Sequence, residues 1–78
     1  MNIGIDIGGS HIGVGLVGSS GKIINKKEVD ILPEDKKNIE KKIITTIEKF
    51  IKQILKEQDV TIKEIGYIGI ASPGMIEN

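Results

Sequence analysis

The run Asp6-Ile7-Gly8-Gly9-Ser10 has the residue types of an anion site. Glycines accept positive φ and let backbone N–H groups approach a ligand without interference from a Cβ. Several N–H groups turned inward make a nest for an anion such as a phosphate, and the Ser10 hydroxyl adds a donor. A carboxylate beside that nest is where a phosphate-bound Mg²⁺ needs an oxygen ligand, or a water held by one. The same residues also read as a plain hairpin, with two glycines for the turn and an acid on a solvent face, and the local pattern leaves both open. It is not a Walker A loop, since the spacing and the following Lys-Ser/Thr are missing, and it is not a GxGxxG fingerprint.

A second candidate is Gly69-Ile70-Ala71-Ser72-Pro73-Gly74. In open α/β sheets ligands bind beyond the carboxyl ends of parallel strands. Pro73 stiffens the turn and Gly74 lets a ligand come close to the backbone. Read alone, the run is first of all a strand-terminating turn. His11 is the single histidine of the chain. An imidazole N–H could contact a phosphate, but an exposed strand residue is the plainer reading, and no second histidine exists to complete a metal site.

These residues need elements to hold them. Ile3, Ile5 and Ile7 alternate with Asn2, Gly4 and Asp6, the period of a strand. Residues 11–17 alternate again, with Ile12, Val14 and Leu16 on one face and Gly13 and Gly15 on the other. A Gly-Ser-Ser-Gly cluster at 18–21 turns the chain into a third strand over 22–29. The lysines of that strand, Lys22, Lys26 and Lys27, suit an edge. Two short turns make these three strands an antiparallel meander. Pro33, with Glu34 and Asp35 after it, predicts a helix start. Ile39, Ile43, Ile44, Ile47, Phe50, Ile51, Ile54 and Leu55 then follow one helical face, so the helix runs for about 22 residues and ends near Gln58 and Asp59. Residues 61–64 form a connector of about one helical turn. Residues 65–71 are apolar on both faces, as in a central parallel strand covered on both sides, with Tyr67 in the core. The fold class is α/β, in the order β-β-β-α-β: a meander plus a strand that returns parallel to the first through a right-handed helical crossover.

Composition narrows the function. The chain has 78 residues, enough for one small domain. Lys+Arg and Asp+Glu are both 11, every cation is lysine, and the net charge is zero, which disfavours a sequence-blind nucleic-acid binder. Cysteine is absent, so neither a disulfide nor a thiolate zinc site exists in this segment. No apolar run is long enough to span a membrane, and the MNIGID start has neither the basic nor the apolar region of a signal peptide.

Asp6-Ile-Gly-Gly-Ser10, followed by His-Ile-Gly-Val-Gly-Leu-Val and Gly-Lys-Ile-Ile, resembles the first phosphate motif of the actin-like ATPases, within the ribonuclease H-like superfamily. The nearest likeness is to the ROK family of sugar kinases and repressors. Tyr67-Ile-Gly-Ile-Ala-Ser-Pro-Gly-Met-Ile76 is similar to that family's second strand-loop signature, so the resemblance covers the whole chain. It implies ATP and Mg²⁺ as cofactors, with Mg²⁺ held by Asp6 through water and the nucleotide phosphates by Gly8, Gly9, Ser10 and His11. Ser10 stands where threonine is commoner and His11 where lysine is common. The resemblance puts Pro73 and Gly74 near a sugar substrate. It also implies a cytoplasmic homo-oligomer that binds no nucleic acid or membrane, glucokinase-like and transferring the γ-phosphoryl group of ATP to a sugar hydroxyl. Family members are several times longer. The Asn-Asp pair that carries the catalytic base, the histidine-cysteine zinc motif and the adenosine-binding lobe are therefore expected beyond Asn78. The chain reads as the N-terminal part of such a domain, inactive alone. A ROK repressor's effector domain and a non-kinase actin-like ATPase are the alternatives. The strand that begins directly after Met1, with no basic helix before it, and the Pro-Gly loop favour the kinase.

Overall fold

In the computed structural model three strands, β1 (Asn2–Ile7), β2 (His11–Val17) and β3 (Ile23–Asp30), are followed by one helix, α1 (Ile39–Gln58), and a short fourth strand, β4 (Ile68–Ala71). The structure describes residues 1–8, 10–32 and 37–71. The expected helix start at Pro33, Glu34 and Asp35 lies outside the described residues, as do Gly9 and the Ser72-Pro73-Gly74 turn.

The four strands form one mixed sheet in the order β3-β2-β1-β4. β1 pairs antiparallel with β2 and parallel with β4, and β2 pairs antiparallel with β3. The meander is thus as the hydrophobic alternation predicts, and the return strand is parallel to β1 as the apolar run at 65–71 and the helical crossover predict. Gly21, at φ 85°, supplies the left-handed residue of the β2–β3 turn, and the Gly18 N–H donates to the Lys22 carbonyl at 2.9 Å across it. The strand expected at 22–29 is displaced by one residue.

Alternation sorts the sheet into two unlike faces. Ile3, Ile5, Val14 and Leu16 pack with Ile54 of α1 into a buried cluster, with Ile7, Ile47, Phe50, Ile51, Val60 and Ile65 partly buried around it. Gly4, Asp6, Gly13 and Gly15 alternate with these residues and lie on the other face. α1 runs from Ile39 to Gln58, ending where the spacing predicts. Its first turn carries Glu40 and its last Lys56, each matched to the helix dipole there. The helix closes on Asp59, in the left-handed region at φ 54°, while the Val60 N–H reaches back to the Leu55 carbonyl at 2.9 Å. Of the predicted apolar face, Ile44 points away and is 59% exposed.

The stretch 65–71 corrects two expectations. Only Ile68–Ala71 is strand. Before it, Thr61 caps a 3-10 turn (Ile62–Glu64) through a capping box with Glu64. The Gly66 N–H then donates to the Met1 carbonyl at 2.7 Å, and the Tyr67 N–H to Asn2 Oδ1 at 3.2 Å. These bonds tie the connector to the start of β1 before the regular ladder begins. Tyr67 is not core: it is 66% exposed. Its ring lies beside Gly69 on the glycine face, which no described element covers. β4 is an edge strand among the described residues, so Ile68 and Ile70 are exposed as well.

Candidate functional site

The β1–β2 hairpin carries the first candidate site. It is closed by the Gly8 N–H, which donates to the His11 carbonyl at 2.7 Å. That N–H is consumed by the turn, so any anion nest must draw on the N–H groups after Gly8. The tip is fixed from a second side, since the Ile31 N–H donates to the Ser10 carbonyl at 2.8 Å. This bond anchors the hairpin to the end of β3 and leaves Ser10 exposed to solvent.

Asp6 stands one turn of the pleat below this tip. It lies between Gly13 on β2 and Ala71 on β4 in the ladder. It is half-buried, and among the described residues its carboxylate has neither a hydrogen-bond nor an ion-pair partner. The spot beside it over Gly13 is bordered by the His11 ring and Lys26. A depression of about 240 Å³ runs over this face, floored by Gly4, Gly13, Gly15 and Gly69, with Asp6 and Lys26 at its sides. Among the described residues no three His, Cys, Asp or Glu side chains converge to hold a metal directly. A divalent cation here would rest on one carboxylate together with water and the oxygens of its ligand, the coordination Mg²⁺ favours with phosphates. An unpartnered, acceptor-only carboxylate below a hydroxyl-bearing turn fits that group.

His11 does not point a free nitrogen at the hairpin. Its Nε2 is 2.9 Å from Glu28 Oε2 and its Nδ1 is 3.6 Å from Asp30 Oδ1. Lys26 Nζ is 3.8 Å from the same Glu28 oxygen. Glu28 and Asp30 were not singled out from the sequence. The signal was present, since two acids at period 2 on β3 fall on one face, but only the register opposes Asp30 to His11 and Glu28 to Gly13. The structure therefore brings together Asp6, Gly8, Ser10 and His11, while Gly9, Pro73 and Gly74 lie outside the described residues. β4 does run parallel to β1 with Ala71 beside Asp6, so the carboxyl ends of the two strands lie at the same end of the sheet.

One shifted carboxylate lies away from this site. Glu57, in the last turn of α1, accepts from Lys27 Nζ at 2.9 Å and from Asn25 Nδ2 at 3.0 Å. The Lys27 bond first, then Asn25, holds its pKa below the ordinary value of 4.5.

Comparison with known proteins adds to this geometry. The ROK family matches the chain across residues 2–78. A glucokinase of Thermotoga maritima is 39% identical over 75 residues, which cover 96% of this chain and 21% of that protein. The chain thus spans about a fifth of the length of the curated relative it matches. No solved structure matches the chain at a significant level.

Proposed function

Because the chain belongs to the ROK family, we propose that it forms the N-terminal, phosphate-binding portion of a cytoplasmic, ATP-dependent sugar kinase with an actin-like fold. The observation that carries this reading is the identity to a glucokinase along 96% of the chain, which includes the hairpin that sets Asp6 beneath Ser10. In this reading ATP and Mg²⁺ are the cofactors, a hexose is the substrate, and the working protein is a longer homo-oligomer.

The chain's own part is to bind and orient. Ser10 and the backbone from Gly9 onward donate to nucleotide phosphates, His11 contributes once its ring is released, and Gly8 shapes the turn that presents them. Asp6 orders the water around the cation. When bound, Mg²⁺ neutralises charge on the phosphates during transfer. Pro73 and Gly74 form the loop that approaches the sugar. The base that takes the proton from the sugar hydroxyl belongs to the sequence beyond residue 78, so the chain alone binds without turning over.

Titration of the ¹⁵N-labelled chain with magnesium ATP tests the binding role. Amide shifts confined to residues 6–13, and weakened in Asp6→Asn, are the expected result. Absence of any shift at millimolar nucleotide would return the hairpin to a purely structural turn.

A further inference from the structure

The ring of His11 is already engaged. Its Nε2 donates to Glu28 Oε2 at 2.9 Å, a hydrogen bond, whereas the 3.6 Å from Nδ1 to Asp30 is too long for one. The ring passes over Gly13 to reach Glu28, at ordinary contact distance. An ideal Cβ at that position would lie 3.6 Å from His11 Nε2, so the ring extends along the strand across a residue with no side chain. The same spot is bordered by Lys26 Cε and Asp6 Cβ, at 3.7 and 3.8 Å from that Cβ. An N–H held by a carboxylate is not available to a phosphate oxygen.

We infer that Glu28 is a positioning residue that competes with the nucleotide phosphates for His11 and thereby sets the affinity of the hairpin for polyphosphate. The inference rests on the reading of the hairpin as a phosphate site and adds to it a residue that never touches the ligand. Lys26 lies close enough to Glu28 to remain its partner after His11 has turned away. The pair is partly solvated, with the His11 and Glu28 side chains 36% and 52% exposed, so the competition is modest. An exposed pair of this kind changes an equilibrium by about two- to fivefold.

A double-mutant cycle separates the competition from simple charge removal. The affinity of magnesium tripolyphosphate is measured by calorimetry for the native chain, Glu28→Gln, His11→Ala and the combined variant. Glu28→Gln is expected to bind about two- to fivefold tighter, and most of that gain is expected to vanish in the His11→Ala background. An equal gain in both backgrounds overturns the inference, because Glu28 would then act on the ligand through its charge alone. The ring protons of His11, the single histidine, report on the clamp without ligand. They are expected to move in Glu28→Gln, and unmoved signals overturn the inference whether or not polyphosphate binds. Moved signals with no polyphosphate binding by any variant would keep the clamp but overturn the phosphate reading, and the competition with it.

Discussion

Asp6 is the residue on which the functional reading turns. A strand carboxylate facing open space has two ordinary explanations, solvent exposure or a ligand. Here it is half-buried, flanked in the ladder by Gly13 and Ala71, and unpartnered among the described residues. In the longer kinase proposed above, Asp6→Asn keeps the shape of the side chain and removes its charge. It is expected to lower kcat by about a hundredfold or more, from lost metal positioning and electrostatic stabilisation. Steady-state kinetics with ATP and glucose checks this, provided circular dichroism shows the fold intact. Unchanged kinetics would assign Asp6 to the hairpin alone.

At the scale of elements, α1 is held to the sheet by an apolar face and one polar clamp. Ile54 is 1% exposed against Ile3, Ile5, Val14 and Leu16, while Ile44 on the same helix is 59% exposed. Ile54→Ala should therefore cost about 2–5 kcal/mol, a large share of the stability of so small a domain. Ile44→Ala should stay within about 0.5 kcal/mol. Urea unfolding of the two variants compares them directly, and equal losses would mean that α1 is rotated from the orientation described. The polar clamp is Glu57 with Lys27 and Asn25. Its pKa is lowered in the folded chain, so its contribution is present above pH 4.5 and is lost as pH falls through the lower folded value. The difference in stability between the native chain and Glu57→Gln should be small and salt-sensitive near pH 7, and should close toward zero in more acid solution. A difference that grew on acidification would contradict the clamp.

The whole molecule has two unlike sheet edges. β3 carries Lys26, Lys27, Glu28 and Asp30, a charged border that resists pairing with another strand. β4 carries Ile68, Gly69, Ile70 and Ala71, and among the described residues nothing pairs with its outer side. Ile68 and Ile70 lie in register with Ile3 and Ile5, yet both are exposed. A neutral, apolar, unpaired edge meets its own copy without charge repulsion. The isolated chain is expected to be dimeric, swapped or aggregation-prone at tens of micromolar, through β4 rather than β3. Size-exclusion chromatography with light scattering reads this, and Ile70→Lys should shift the population toward monomer. A sharp monomer peak for the native chain would show that the β4 edge is already covered.

Period and punctuation made much of this protein legible. Ile3-Gly4-Ile5-Asp6-Ile7 could only alternate its faces as a strand, the glycine-rich turns could only fold it back, and the 3.6-residue spacing from Ile39 to Leu55 required a helix. The Asp6-to-Ser10 run was legible as a hairpin, but its residues serve an anion nest and a plain turn equally well, so its chemistry stayed open. What else the sequence left open depends on neighbours distant in the chain. Whether Tyr67 and Ile70 are buried depends on what covers β4, and an apolar run reads the same at a covered strand and at an edge. The start of β4 at Ile68 was decided by bonds from Gly66 and Tyr67 to Met1 and Asn2, more than 60 residues away. Glu28 met His11 only because the β2–β3 register set it opposite Gly13, a pairing fixed by the turn and the two-residue pleat acting together. Residue types and local spacing determine which elements form and which side chains have chemistry to offer, while strand register decides which of them meet.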